Sequence, residues 1–169
     1  MIWAALQVVL GMVCGNLMEW VVHRYFLHGI GKRPKSILSF HWRGHHRTSR
    51  LNGYYDADYK QSLFEWNGRT KEIASLGFLA LLFAPFLFFA PWVYLGMFAW
   101  IFIYYVIHSY SHQHPEWAKR WLRWHYEHHM GRNQDANWNV TFPLWDYILG
   151  TRVHYEEDGK GRLVPKKHV

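Results

Sequence analysis

Ten of the thirteen histidines in this chain fall into four tight clusters. Neutral imidazole is a good ligand for iron, zinc and copper, and a shell of about four or five ligands per ion would use about eight to ten side chains. The clustered histidines therefore predict a site for two metal ions. His114, His154 and His168 lie outside the clusters, and no ligand role is expected for them. The candidate ligands are His23, His28, His41, His45, His46, His108, His112, His125, His128 and His129.

The spacing within the clusters is typical of helices. With about 100° between successive residues, His41 and His45 are predicted to share one helix face, and so are His108 and His112. The last cluster has i, i+3, i+4 spacing, which also places its three histidines on one face. We expect each of these clusters to point at one ion.

The first cluster has a different spacing. His23 and His28 are five residues apart, so on an ideal α-helix their side chains diverge by about 140°. The helix is therefore predicted to end between them. In that case the two imidazoles serve different ions.

The last cluster is predicted to lie on the buried face of a single carboxy-terminal helix. On a helical wheel its histidines share an arc with aromatic residues, and charged residues fall on the opposite arc. The buried arc contains Trp117, Trp121, Leu122, Trp124, His125, His128 and His129, and the opposite arc contains Lys119, Arg120, Arg123 and Glu127.

Two apolar stretches must position these clusters. Residues 73–107 contain no charged side chain, and in residues 2–20 the only charge is Glu19. A bilayer core takes about 20 apolar residues per helix, so residues 2–20 predict one membrane span and residues 73–107 a hairpin of two. Proline is tolerated at the first position of a helix but not inside it, so Pro91 is predicted to begin the third span and Pro85 to kink the second.

The fold predicted from these patterns is an all-α membrane protein with one domain over residues 1–169. Spans are expected at about residues 2–22, 72–89 and 91–110. Residues 23–71 and 111–152 are expected to form a histidine-rich helical cap that binds the metal. Residues 56–69 and the tail after residue 152 have no clear pattern.

The distribution of charge predicts an orientation in the membrane. All nineteen Lys and Arg residues lie outside the spans, and with three spans they all fall on one side, as do the histidine clusters. The positive-inside rule makes that side cytoplasmic, in a bacterial inner membrane or the endoplasmic reticulum. Anionic lipid head groups then account for the formal net charge of +7, and no nucleic-acid partner is expected. The first span is interpreted as a retained anchor.

Histidine clusters in a membrane protein are also compatible with two functions that involve no oxygen chemistry. A membrane metal transporter requires ligands along a path through the middle of the bilayer, whereas these clusters lie at the ends of the spans. A zinc-binding structural or hydrolytic membrane protein is the other alternative, because imidazole sites also accept zinc. Transfer of an oxygen atom from dioxygen to a lipid product would exclude both of these functions.

Four sequence motifs resemble the histidine boxes of the fatty acid hydroxylase/sterol desaturase superfamily. They are HRYFLH at 23–28, HWRGHH at 41–46, HSYSH at 108–112 and HYEHH at 125–129, followed by NWNVTFPLWDYILGT from Asn137 to Thr151. The resemblance covers roughly residues 16–152. MEWVVHRYFLHG, from Met18 to Gly29, also resembles the first box of carotenoid ring hydroxylases. The usual Asn-x-Gly after the last box is replaced by Asn137-Trp138-Asn139, which leaves the substrate subfamily open.

This resemblance implies an oxidoreductase that uses two Fe ions and O2 on a lipid, either a fatty acyl chain, a sterol or an isoprenoid. Hydroxylation of an unactivated C–H bond is the leading expectation, with desaturation or carotenoid ring hydroxylation as alternatives. Zinc can occupy such sites in overexpressed protein. No dinucleotide fingerprint is visible, so an external electron donor of the ferredoxin or cytochrome type is expected. The oligomeric state stays open.

Acidic residues near the clusters are expected to support an all-histidine ligand set. Glu19, Glu127 and Asp146 are candidates to accept imidazole N–H bonds. Glu19 is the strongest candidate because a carboxylate inside a span is costly and usually functional. Glu19 and Asn137 are the predicted catalytic residues, the second because it lies in the motif that follows the last box.

Overall fold

The computed structural model describes residues 1–166, and His168 lies outside them. The fold is mostly helical, as the sequence predicts. Two π-helical segments at Val22–Ile30 and Phe40–His46 and two 3₁₀ turns at Ala57–Lys60 and Ala84–Phe88 interrupt the α-helices. The helices are α1 (Ile2–Val21), α2 (Arg47–Leu51), α3 (Gly68–Phe83), α4 (Pro91–Gln113), α5 (Pro115–Trp121), α6 (Arg123–Met130) and α7 (Leu144–Ile148).

Three helical segments among residues 1–166 are long and apolar enough to cross a membrane, which confirms the expected number of spans. Their bounds are Ile2–Ile30, Gly68–Phe88 and Pro91–Gln113. Large apolar side chains on their outer faces are exposed, and a surface this apolar is suited to lipid rather than water. The outward-facing residues include Leu6, Val9 and Leu10 on α1, Phe78 and Leu81 on α3, and Phe98 and Phe102 on α4.

Helices α1 and α4 pack closely because glycines lie where they cross. A Cβ atom on Gly11 would lie 2.1 Å from the carbonyl oxygen of Val93, and a Cβ on Gly96 would lie 2.1 Å from that of Val8. Small residues of this kind let two helix backbones approach within a membrane. The α1/α4 pair therefore forms the rigid part of the transmembrane region.

Helix α3 begins at a capping box and ends at a proline. The side chain of Asn67 accepts a hydrogen bond from the backbone N–H of Thr70, and the Thr70 hydroxyl accepts one from Asn67 N–H. At the other end, Pro85 lies in a 3₁₀ turn that follows α3, so it ends the α-helix rather than kinking it. Pro91 is the first residue of α4, as predicted.

The predicted single carboxy-terminal helix is instead two short helices. Helix α5 ends at Trp121 and α6 begins at Arg123, because Leu122 has non-helical backbone angles (φ −122°, ψ 42°). The break rotates α6 relative to α5, so Trp121 is 59% exposed rather than buried, whereas the three histidines of the last cluster are fully buried. The wheel is therefore correct for the histidines. It is wrong for Trp121 and for Glu127, which it places on the exposed arc although the structure buries it.

The chain that follows α6 folds back and contacts that helix. The tail after residue 152, which has no clear sequence pattern, contains a two-stranded antiparallel hairpin of β1 (Tyr155–Glu157) and β2 (Leu163–Pro165). Just before the hairpin, the Arg152 guanidinium donates to the buried Glu127 carboxylate at 2.8 Å. This ion pair ties the tail to α6.

Candidate metal centre

The two π-helical segments decide which histidines come together. Backbone hydrogen bonds in a π-helix span five residues, as in the bond from Gly31 N–H to the Phe26 carbonyl, so residues five apart lie on one face. His23 and His28 therefore point the same way, and the helix does not end between them. The expectation that they diverge is wrong because it assumed α-helical geometry.

Five buried imidazoles form the first group, which consists of His23, His28, His41, His46 and His128. Four pairs of Nε2 atoms lie close together: His23 and His41 at 3.1 Å, His28 and His46 at 3.0 Å, and His46 with His41 and with His128 at 3.2 Å each. Nitrogen ligands bound at about 2.1 Å to a single ion lie about 3.0–3.4 Å apart. The spacing fits one metal ion.

The second group consists of His45, His108, His112 and His129, all buried. The Nε2 atoms of His45, His108 and His129 have no hydrogen-bond partner within residues 1–166. Buried polar atoms are rarely left without a partner, so three in one place indicate a bound group that satisfies them. His125 adjoins this group, with its Nε2 3.3 Å from His112 Nε2.

Two of the sequence clusters divide between the groups. His45 belongs to the second group while His41 and His46 belong to the first, because the π-helical segment pairs residues five apart rather than four. In the last cluster His128 faces the first group and His129 the second. The expectation that each cluster serves one ion is therefore wrong at these two clusters. It agrees with the structure for His108 and His112.

Hydrogen bonds at the other ring nitrogen orient several imidazoles. The Nδ1 atoms of three histidines lie within donating distance of backbone carbonyls: His23 to Trp138 at 2.5 Å, His112 to Tyr54 at 2.9 Å and His128 to Ala136 at 2.7 Å. A proton on Nδ1 leaves the Nε2 lone pair free for a metal ion. The chain therefore fixes the tautomer that a metal ligand requires.

Three further imidazoles are oriented by carboxylates. His45 Nδ1 lies 2.7 Å from Asp56, and His108 Nδ1 lies 2.5 Å from Glu72. His28 Nδ1 lies 3.3 Å from Asp135. Such carboxylate partners hold the ring and make its Nε2 more basic toward a metal. They also supply the negative charge that an all-histidine shell lacks.

The three acids expected to fill this role make other contacts. Glu19 accepts hydrogen bonds from Val140 N–H and from the backbone and hydroxyl of Thr141, and from the Trp100 indole. Asp146 accepts from the backbone of residues 138 and 139 and from a threonine hydroxyl. Glu127 pairs with two arginines. The expectation that they orient imidazoles is wrong, because all three accept from other donors. Glu19 and Asp146 hold the loop that includes the Trp138 carbonyl, and Glu127 holds the segment after α7.

Asn137 has a backbone role in the structure. Its φ is +59°, and its side-chain amide both donates to the Val153 carbonyl and accepts from Val153 N–H. Asparagine tolerates this left-handed conformation better than most residues. Asn137 thereby links the loop before α7 to the segment after α7. Catalytic roles for Asn137 and Glu19 stay predictions.

The sequence analysis missed the carboxylates that contact imidazole. Glu72 had a detectable signal, since it is a charge at the start of an apolar span, at the same end as His108. Asp56 and Asp135 lie in loops whose course the sequence does not reveal. No local pattern joins Asp135 to His28, 107 residues away.

Burial favours the neutral form of five histidines in the cap. Loss of solvent lowers the pKa of His41, His46, His125, His128 and His129 below the ordinary value, and neighbouring imidazoles lower it further. A neutral imidazole has a lone pair to offer, whereas an imidazolium does not. Two adjoining groups of neutral, oriented nitrogen donors fit iron, zinc or copper.

An apolar cavity leads from the imidazoles into the membrane-spanning region. It has an empty volume of about 930 Å³, part of it open to the surroundings, and lies between α1, α3 and α4. Four histidines line one end, namely His23, His41, His45 and His108. Apolar residues line the remainder, including Leu76, Leu79, Phe83, Met97 and Ile101. The geometry suits a long apolar molecule with one carbon held beside the metal groups.

The structure is that of a helical protein with three candidate membrane spans and two buried groups of imidazoles that could each hold a metal ion. The sequence model of the fatty acid hydroxylase family matches residues 8–151, and the chain belongs to that family, within the fatty acid hydroxylase/sterol desaturase superfamily. No curated protein and no solved structure gives a significant match. Family membership supports an oxidoreductase in general.

Proposed function

We propose that this protein is an O2-dependent di-iron enzyme that hydroxylates an unactivated C–H bond of a membrane lipid. The observation that carries the proposal is the apolar cavity between the spans, which ends on two adjoining groups of oriented imidazoles. His23, His28, His41, His46 and His128 would hold one ion. His45, His108, His112 and His129, with His125 adjoining them, would hold the other.

Two iron ions bound here would supply the activation of O2 that a C–H bond without nearby activating groups requires. The balance is one lipid C–H, one O2, two electrons and two protons giving one C–OH and one water. The chain's own contribution is to hold the imidazoles, to exclude water and to position the lipid. The rings are held through backbone carbonyls and through Asp56, Glu72 and Asp135.

The cavity supports a lipid substrate. Its lining on α3 runs from Gly68 to Phe83, a rise of about 22 Å along the helix axis. A fatty acyl chain, a sterol or an isoprenoid can lie along this wall with its reactive carbon at the imidazole end. Such a chain is already out of water in the bilayer, so its binding between the spans is favoured by packing contacts with the apolar lining.

The orientation and the electron source follow from charge and composition. The Lys and Arg residues lie outside the apolar stretches at residues 2–20 and 73–107, so we place the histidine groups on the cytoplasmic side of a bacterial inner membrane or the endoplasmic reticulum. Electrons would come from a separate ferredoxin- or cytochrome-type protein. A metal transporter is a poorer fit, because the ligand groups are buried at the ends of the spans.

The test is mass spectrometry of lipids from cells that express the protein under oxygen-18 gas. We expect one lipid to gain one labelled oxygen with wild-type protein and none with His128→Ala, which removes a ligand of the first group. His114→Ala is the matched control, since His114 is exposed, lies outside both imidazole groups and has its Nδ1 2.9 Å from the Tyr110 carbonyl oxygen. Loss of two hydrogens without oxygen would instead identify a desaturase, and label from water alone would reject the oxygenase.

A further inference from the structure

The two imidazole groups differ in what separates them from the surface. Trp42 is partly exposed and its ring centroid lies 4.9 Å from His28 and 5.1 Å from His46, both in the first group. The second group is covered by Tyr54 and Tyr59, which are both buried. Trp42 is thus an indole that touches solvent on one side and two imidazoles on the other.

A charged side chain lies over this indole. Lys32 Nζ is 4.4 Å from the Trp42 ring centroid and also binds both carboxylate oxygens of Asp135, at 2.5 and 2.7 Å. The same carboxylate contacts His28 Nδ1. Lys32, Trp42 and Asp135 therefore form a compact link between the surface and the first group.

The surface around this link is positively charged. Residues 24–55 include seven Lys or Arg side chains and no Asp or Glu. Arg33 and Lys35 follow Lys32 in one short loop, Arg43 follows Trp42, and all three are exposed. We define the Trp42 patch as Lys32, Arg33, Lys35, Trp42, Arg43 and Asp135. With four cations and one carboxylate it has a net charge of about +3.

We propose that the Trp42 patch is the docking site of an acidic one-electron carrier protein and that its electrons reach the first metal group through Trp42. The proposal rests on the proposed function. In each docking event the reduced iron of the carrier is oxidised by one electron and one metal ion of the centre is reduced. Two such events supply the two electrons of one turnover.

Charge and contact together favour this occupant over an anionic lipid. A positive surface attracts any anionic partner, but only a redox protein would make use of an indole in contact with two of the ligands. Complementary charge speeds encounter and orients the partner.

Docking can be tested on metal-free protein, so that binding is read without turnover. The protein is placed in phosphatidylcholine nanodiscs, which carry no net lipid charge, and titrated with an acidic [2Fe–2S] ferredoxin or the soluble domain of a cytochrome b5. We expect Arg33→Glu with Lys35→Glu to weaken the binding of at least one carrier about tenfold or more. The matched control is Arg120→Glu with Lys160→Glu, which reverses two exposed charges elsewhere and should change Kd less than twofold.

The path through Trp42 has its own readout. In iron-loaded protein at saturating carrier concentration, where the rate does not depend on Kd, Trp42→Leu should slow reduction by the bound carrier at least tenfold, and Trp42→Phe should have a smaller effect. Reduction by dithionite, which needs no docking, should be unchanged in both variants. Iron content is measured in each, and Trp42→Phe decides the matter if Trp42→Leu loses iron.

Three results would overturn the proposal. One is failure of both carriers to bind wild-type protein at about 50 mM salt, where charge attraction is strong. Another is equal loss of affinity in the patch and control variants. The third is an unchanged rate of carrier-driven reduction in the Trp42 variants. Failure of the proposed function is distinguishable, because carriers would then dock and reduce the protein without any lipid gaining oxygen.

Discussion

The two imidazole groups lie side by side but are supported differently. In the first group, His23 and His128 bond to backbone carbonyls and His28 bonds to Asp135, whose side chain is 54% exposed. In the second group, His45 and His108 bond to carboxylates that are buried. The second group therefore has two negative charges beside it in a medium of low dielectric, whereas the first has one that water screens.

Side chains of one type can therefore form two candidate metal sites that differ in the charge beside them. Buried carboxylates offset the charge of a dication more than exposed ones, so we expect the second group to hold its ion more tightly. The first group, which contacts the partly exposed Trp42, is expected to bind its ion less tightly, and this suits exchange of electrons with a partner. Variants that change one group at a time can test this difference between the two groups.

Removal of a ligand should have the largest effect. His46→Ala removes a member of the first group and His112→Ala a member of the second. We expect each to lower metal content from about two ions per chain toward one and to abolish detectable turnover, since a missing ligand commonly empties a site. Elemental analysis of purified protein measures this, with His114→Ala as control. Full metal content in both variants would refute the assignment of the groups.

Neutralising a supporting carboxylate should have a smaller and unequal effect. Glu72→Gln should weaken metal retention in the second group about 10- to 100-fold, as is usual when such a partner is lost. Asp135→Asn should weaken the first group less than about threefold, because exposure screens its charge. Metal release to a chelator, followed by native mass spectrometry, compares the two. Equal effects would remove the distinction between the groups.

Glu19→Gln should act on the first group from a distance. Glu19 accepts from Val140 and Thr141, in the loop whose Trp138 carbonyl orients His23. A glutamine amide would set a donor against a donor, at a cost of about 2–3 kcal/mol in the free energy of unfolding. Thermal unfolding in detergent should therefore shift to lower temperature. Faster metal release should be confined to the first group; release from the second alone would contradict this account.

Tyr54→Phe should have the smallest effect. The Tyr54 ring stacks on His112 with centroids 4.3 Å apart, and its φ of +81° directs the backbone carbonyl at His112 Nδ1. Phenylalanine keeps both features and loses only the hydroxyl contact with Ser111, which is worth about 1 kcal/mol. Unfolding should shift slightly and metal content should stay unchanged. A loss of metal would show that the hydroxyl matters to the second group.

Much of the molecule could be predicted from sequence, because its strongest signals are local. Runs of uncharged residues revealed the three spans, and Pro91 marked the start of α4. The histidine clusters revealed which ten side chains converge. Composition and spacing suffice for such features because hydrophobic length and ligand type need no knowledge of the tertiary fold.

What sequence reasoning missed depends on backbone geometry and on distant contacts. The pairing of His23 with His28 follows from a π-helical segment, and residue types alone do not distinguish it from an α-helix. The break at Leu122 likewise reorients Trp121, and no proline or glycine at that position indicates it in the sequence. The contact of His108 with Glu72 joins two spans and appears only once those spans are packed.

We propose that this chain holds two iron ions in adjoining imidazole groups. X-ray absorption at the iron edge of reconstituted wild-type protein tests it most directly. We expect about two irons per chain, each with four or five nitrogen neighbours at about 2.1 Å and the outer-shell signal of imidazole. A single iron per chain, or a neighbour shell dominated by sulfur or by oxygen without imidazole scattering, would contradict the claim.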